Sequence, residues 1–360
     1  MENFESSRTA EELDRRPLIE ETKEGKRFTI RIRRKPAYGR NVKSSERIRQ
    51  QLREQVELGI KNPSYKFDIF DYRRLLPCIG SPENIEMGSP KLKIALIRHL
   101  RHQDNVVVEE DLEGAKPRLN NLLDDLKITD RSKVYLIASL TGQMVSTKTD
   151  FEFHSRTEGT AGAIAQLLEE RGIEYQLNNI DDSERGFGST TSRVRDGLRE
   201  FEEDTMVYED AIRKFKANQE AGQSGQELPY PDPAHGMHPA VFASFAKNLK
   251  ELREKAGVGE MSSASVARGL NVIDAMEGYF LGQGELFKDV DKVVVIMVGH
   301  GQFGTGMSEA MHVATEGNFP IFFANNGAYW RMDVGQDKQG EVVEELIMES
   351  GDRTGMELIF

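Results

Sequence analysis

The sequence is short of the features that would place it outside an ordinary soluble setting. It contains a single cysteine, Cys78, so no disulfide can form within the chain, which fits a reducing compartment. No apolar run reaches the roughly 20 residues that a membrane-spanning helix needs. The stretch MENFESSRTAEELDRR is acidic and polar, so no signal peptide is expected in it. Internal repeats and heptads are also missing, which argues against solenoids and coiled coils. A cytoplasmic protein without membrane contact is expected, and 360 residues suffice for one large core or two smaller ones.

What the chain has in plenty is charge, unevenly spread. The net charge is −12, yet residues 23–53 hold twelve Lys or Arg against two Glu, a net of +10, so the remainder carries −22. Overall acidity disfavours indiscriminate binding to nucleic acid. The basic stretch leaves two readings open. It can meet a phosphate-rich partner such as RNA, or it can dock on the acidic body of the same chain or of a second subunit, which is the favoured reading. Within it RFTIRIR alternates as a strand does, and SSERIRQQLREQVELGIKN reads as a helix capped near Ser44 or Ser45.

Residues 77–90, PCIGSPENIEMGSP, are dense in turn formers and read as a linker. Residues 1–90 are therefore expected to be a basic extension with its linker, and 91–360 the main domain. From there strand-like and helix-like segments alternate: KIALIRH, a helix around Ala115 to Leu126, KVYLIAS, the helix GTAGAIAQLLEERG, IEYQLNNI, and later SSASVARGLNVIDAMEGYF before KVVVIMVGHG. Such alternation predicts an α/β domain with a mostly parallel sheet. PIFFANN, AYWRMDV and EVVEELIMES read as further strands joined by turns. Residues 200–258, polar and then proline-rich, interrupt the rhythm and read as an insertion of the kind that forms a lid or a small cap.

Open parallel sheets present their sites beyond the carboxyl ends of the strands. The first strand delivers Arg98 and His99 there, with Arg101, His102 and Asn105 just beyond. The second ends at Ser139 and leads through a long loop to Arg156. After the third comes DDSERGFG with Glu184, and the last long strand delivers His300 and Gly301. Two His and two Arg at one edge suit a doubly charged phosphate, since Arg gives permanent bidentate donors and a His nitrogen can be a nucleophile. Each residue also has a plain reading. His99 and His300 can be core or turn histidines, Arg156 a solvated loop residue, and Glu184 an ion-pair partner of Arg185 or Arg193. Arg101 and His102 read as exposed loop residues. His235 and His238 in HGMH lack further ligands nearby, so no metal site is expected.

In these motifs the sequence resembles the histidine phosphatase superfamily, which includes the phosphoglycerate mutases. LIRHL is similar to the family's strand ending in Arg-His-Gly, with Asn105 six positions after the His. RTEGTA (Arg156 to Ala161) fits its second-Arg pattern, SERGFG its acid segment, and VVVIMVGHG its late His-Gly strand. The resemblance covers about residues 91–350. It departs at Leu100, where the family has Gly, and in the long stretch between Ser139 and Arg156, where ungapped spacing would give Gln143.

The resemblance implies a three-layer α/β/α sandwich with a mostly parallel central sheet and a phosphatase needing neither metal nor cofactor. His99 would form a phosphohistidine; Arg98, Asn105, Arg156, Gly301 and His300 would surround the phosphate, and Glu184 would be the acid. A small phosphorylated substrate and a homodimer are the partners it implies. A mutase-like phosphotransferase, or an inactive relative that binds a phosphorylated ligand or a protein, are the alternatives.

Overall fold

The computed structural model describes residues 15–34, 78–103, 106–139, 143–146, 151–180, 287–300 and 317–358, with scattered positions at 191–198, 272–281 and 304–315. The expected helix near Ser44 and the insertion at 200–258 lie outside the described residues, as do Asn105, Glu184, His235, His238 and Gly301.

Three continuously apolar strands form the centre. β4 (Leu92–Arg98), β7 (Ser132–Ala138) and β11 (Lys292–Gly299) run parallel, with β11 in the middle. Strands buried on both faces read as unbroken apolar runs because each side chain, up or down, meets another layer. Along β11, Val293, Val295 and Met297 join one core cluster, while Val294, Ile296 and Val298 join the other. The second cluster is closed by two helices, α1 (Glu109–Leu126), through Leu119, Leu122, Leu123 and Leu126, and α2 (Arg156–Glu170), through Ala161, Ile164 and Leu168. On the opposite face Val272, Ile273, Met276, Phe280 and Phe319 complete the first cluster.

The sheet is mixed rather than mostly parallel, which corrects the expectation. Beyond β10 (Gln176–Leu177), β7, β11 and β4, the other half is antiparallel. β13 (Tyr329–Gln336) lies against β4, β14 (Val342–Glu349) against β13, and β2 (Lys26–Arg34) against β14. β1 (Leu18–Glu21) and β3 (Ile79–Gly80) both pair with β2. Tight turns join β13 to β14, so they can only run antiparallel. Three small pairs lie outside this sheet: β5 (His102–Gln103) with β6 (Val106–Val107), β8 (Gln143–Ser146) with β9 (Phe151–His154), and β12 (Phe322–Ala324) with β15 (Met356–Leu358).

β2 is the alternating RFTIRIR stretch, and it sits in the sheet instead of standing apart as an extension. Its apolar side, Phe28, Ile30 and Ile32, enters the core. Its basic side meets carboxylates. Arg27 Nη2 lies 2.7 Å from Glu349 Oε2, Arg31 Nε 2.6 Å from Glu345 Oε2, and Arg33 Nε 3.1 Å from Asp337 Oδ2. Glu349 and Glu345 stand directly opposite Arg27 and Arg31 in the register. In this described part, the basic stretch docks on the chain's own acidic strands.

Lys93 and Asp333 form a further pair, directly across β4 and β13, with Nζ and Oδ2 3.0 Å apart and both side chains buried. A second cluster joins α1 to the antiparallel half. Asp125 accepts from Arg353 (2.9 Å to Nη1) and from the Tyr329 hydroxyl (3.0 Å). Burial alone would raise the Asp125 pKa, but the Arg353 bond and the Arg331 charge outweigh it and hold the carboxyl below its ordinary value.

Candidate active site

The carboxyl ends of β4, β11 and β7 are tied to one another before any side chain is considered. The His99 N–H donates to Gly299 O at 2.9 Å and the Ser139 N–H to Val298 O at 2.9 Å, while Arg98 N–H donates to Ala328 O at 2.8 Å. The residues that leave these strands therefore emerge at fixed positions.

His99 and His300 face each other there. Their ring centroids are 5.1 Å apart at an interplanar angle of 70°, and they are 2% and 3% exposed. His99 Nδ1 lies 2.7 Å from Leu100 O. A carbonyl can only accept, so Nδ1 carries the proton and Nε2 holds a lone pair. That Nε2 is buried and has no hydrogen-bond partner among the described residues. Burial pushes the His99 pKa well below its ordinary 6.5, and the positive fields of His300, Arg156 and Arg98 push the same way, against the smaller effect of the Leu100 bond. The result is a neutral imidazole with an unprotonated nitrogen in a positive field.

Arg156 arrives from α2. Ser155 caps that helix, its hydroxyl accepting the Glu158 N–H at 3.3 Å, so the helix begins at Arg156 rather than near Gly159. Thr160 Oγ1 accepts the Leu100 N–H at 2.9 Å and donates to Arg156 O at 2.8 Å, stitching the first turn to the end of β4. The buried Arg156 guanidinium places Nη2 3.5 Å from His300 Nδ1 and donates from Nη1 to His102 Nε2 at 2.7 Å. Arg98, also buried, donates to Ala324 O at 2.7 Å and lies over the Phe323 ring at 5.8 Å.

Four of the residues singled out in the sequence, Arg98, His99, Arg156 and His300, thus gather at one sheet edge. Glu184, Asn105 and Gly301 lie outside the described residues, so the expected acid and two of the expected phosphate contacts are not placed. Gln143, the ungapped alternative to Arg156, opens the β8–β9 hairpin inside the stretch read as a long loop. Leu100 is 1% exposed. Its Cδ2 would lie 2.8 Å from a Cβ placed on Gly327, whose φ is +70°. A glycine at 327 is what lets the leucine fit.

Two residues at this edge were undervalued in the sequence. His102, read as exposed loop, is half-buried, bonds Arg156 and sets its ring 5.4 Å from that of His99, tilted by 60°. Arg195 donates from Nε to Ala138 O at 3.0 Å and from Nη2 to Glu158 Oε1 at 2.8 Å, fastening the end of β7 to the first turn of α2. An imidazole four positions past a strand end was the available signal for His102. For Arg195, in a helix far from either partner, no local signal exists.

No family model matches the chain, and no curated protein matches it. Among solved structures it is similar to an alpha-ribazole phosphatase from Shigella flexneri at 13% identity and a TM-score of 0.31, over 73% of this chain and 97% of that one. A mycobacterial glucosyl-3-phosphoglycerate phosphatase matches at 12% identity and a TM-score of 0.34, over 72% and 97%. A Hafnia alvei phytase matches at 10% identity and a TM-score of 0.23, over 75% and 94%. What the site can do is decided by its own side chains.

Proposed function

We propose that this edge is a cup for a phosphomonoester dianion and that the protein is a metal-independent phosphatase working through a phosphohistidine. The observation that carries this reading is the His99 imidazole, neutral, anchored through Nδ1, with Nε2 buried, unbonded and surrounded by positive side chains. An imidazole kept this way for structural reasons alone would leave a buried acceptor unsatisfied, which costs about 1–3 kcal/mol. An incoming phosphoryl group removes that cost.

In the first step the Nε2 lone pair attacks phosphorus, the ester P–O bond breaks, and the leaving oxygen takes a proton from a general acid. Glu184 is the acid the motif resemblance implies. As the ring gains positive charge, the Leu100 carbonyl holds the Nδ1 proton in place. Arg98, Arg156 and His300 surround the transferring oxygens, where fixed positive groups act most strongly because they need no reorganisation. Water then attacks phosphorus and gives a proton to the deprotonated acid, which now acts as the base, the P–N bond breaks, and inorganic phosphate, free His99 and the protonated acid are regenerated. The apolar layers on both sides of the sheet fit the three-layer arrangement implied by the resemblance.

The seat of Leu100 against Gly327 weakens the steric ground for reading the departure from Gly at this position as a loss of catalysis. The deciding test is rapid acid quench with a radiolabelled aryl phosphate, followed by alkaline gel separation. An acid-labile, base-stable phosphoenzyme is expected in the wild type. His99→Ala should abolish it and lower kcat by roughly 10⁴-fold or more, as losing a covalent nucleophile does. Turnover that survives His99→Ala would end this reading, and transfer back to a phosphorylated glycerate instead of water would make the protein a mutase.

A further inference from the structure

We propose that His102 is a positioning residue, the group that sets the plane of the Arg156 guanidinium in the cup. This rests on the anion-cup reading above and adds to it a residue that the motif pattern does not include.

A guanidinium is a rigid planar fork, so holding two of its nitrogens orients the whole group. Arg156 is held in this way, with Nη1 donating to His102 Nε2 at 2.7 Å and Nη2 3.5 Å from His300 Nδ1. Because arginine only donates, His102 Nε2 must be the acceptor, and the ring acts here as a neutral imidazole. A neutral partner fixes the geometry of a cation without cancelling its charge, as a carboxylate would. The same ring lies 5.4 Å from that of His99, so one side chain touches both nucleophile and clamp.

The backbone holds His102 to this task. It opens the β5–β6 hairpin, where it pairs with Val107. That hairpin rests on the first turn of α2 at Gly159, where a Cβ would come within 2.9 Å of Val107 Cγ2. The helix turn that carries Arg156 and the hairpin that carries His102 are therefore seated against each other. An exposed loop residue would show neither the pairing nor the contact.

The test uses the full chain with His102→Leu, which removes the acceptor, and His102→Gln, whose side-chain oxygen can stand where Nε2 was. Inorganic phosphate affinity is measured by calorimetry, and kcat and KM with p-nitrophenyl phosphate. His102→Leu should weaken phosphate binding and lower kcat/KM by roughly 10- to 100-fold, the size of one hydrogen bond to a charged group. His102→Gln should recover to within about threefold of wild type on the same ground. Equal losses in both variants, or phosphate binding by His102→Leu at wild-type strength, would overturn the inference. A merely structural role would lower the melting temperature and the active fraction while leaving KM unchanged, and that pattern also overturns it. If the wild type binds phosphate without turnover, the phosphatase reading fails, and His102 is still judged by the binding data.

Discussion

The two halves of the sheet treat their cations differently. In the antiparallel half and along its seam with β4, Arg27, Arg31 and Arg33 on β2 and Lys93 on β4 each meet a carboxylate, three of them directly opposite in the register. At the carboxyl edge of the parallel half, Arg98 and Arg156 donate to a carbonyl and an imidazole. Carboxylate partners cancel charge and hold strands together. Neutral partners fix a guanidinium in place and leave its field intact, and that field is felt at His99. The same residue types build a scaffold in one place and the proposed anion cup in the other. Lys93 and Arg98, five positions apart on one strand, mark the transition.

That contrast can be broken most directly at Lys93. Lys93→Met leaves the Asp333 carboxylate buried without its partner, and urea denaturation should show a loss of about 3–5 kcal/mol. Adding Asp333→Leu should return most of it, because a matched apolar pair of similar size is close to neutral. If the single variant is as stable as wild type, the pair is not what holds β4 to β13. Arg98→Met should behave in the opposite manner. Its stability cost should be only about 1–2 kcal/mol, from the Ala324 carbonyl left unbonded, while phosphate affinity measured by calorimetry should fall roughly 10- to 100-fold with the loss of a charge-assisted contact.

The smallest effect concerns protons. The His99 pKa is lowered from 6.5 in the native protein. On acidification below that value the unfolded chain takes up a proton that native His99 refuses, so stability is lost through the window between 6.5 and the lower native pKa. His99→Gln should make the acid limb of a stability–pH curve shallower, as read from urea denaturation at a series of pH values below 6.5. The proposed nucleophile has its pKa held below 6.5 in the wild type, so its protonation should not limit kcat/KM until more acidic conditions. A kcat/KM limb centred at the ordinary histidine value, assigned to His99 by NMR titration, would contradict the positive field.

How much of this could be read from the chain depends on how local each signal is. β4, β7 and β11 were legible because burial on both faces writes an uninterrupted apolar run. The edge residues followed from them, since a strand end fixes where the next side chain emerges. β2 was legible as a strand from its alternation, but not as part of the main sheet. Its partner β14 begins more than three hundred positions later, and no local pattern encodes such a pairing. Lys93 lies inside β4, and its compensating Asp333, 240 positions away, is likewise encoded by no local pattern. α2 begins three residues earlier than its apolar pattern showed, since the Ser155 cap and the turn bearing Arg156 are polar. His102 was set down as loop for a similar reason: its partners come from α2 and from the other side of the hairpin.

The place of β2 bears on how the protein can be handled and how it matures. Lying between β14 on one side and β1 and β3 on the other, it is an interior strand, so trimming the basic stretch would not remove an appendage. It would bare the backbone of β14 along most of its length, an unguarded rim ready to recruit a strand from another molecule. During synthesis β2 emerges long before residues 342–349, and until they arrive Phe28, Ile30 and Ile32 have no lasting shelter. Chaperone dependence, and clumping of truncated forms, should both trace to that wait.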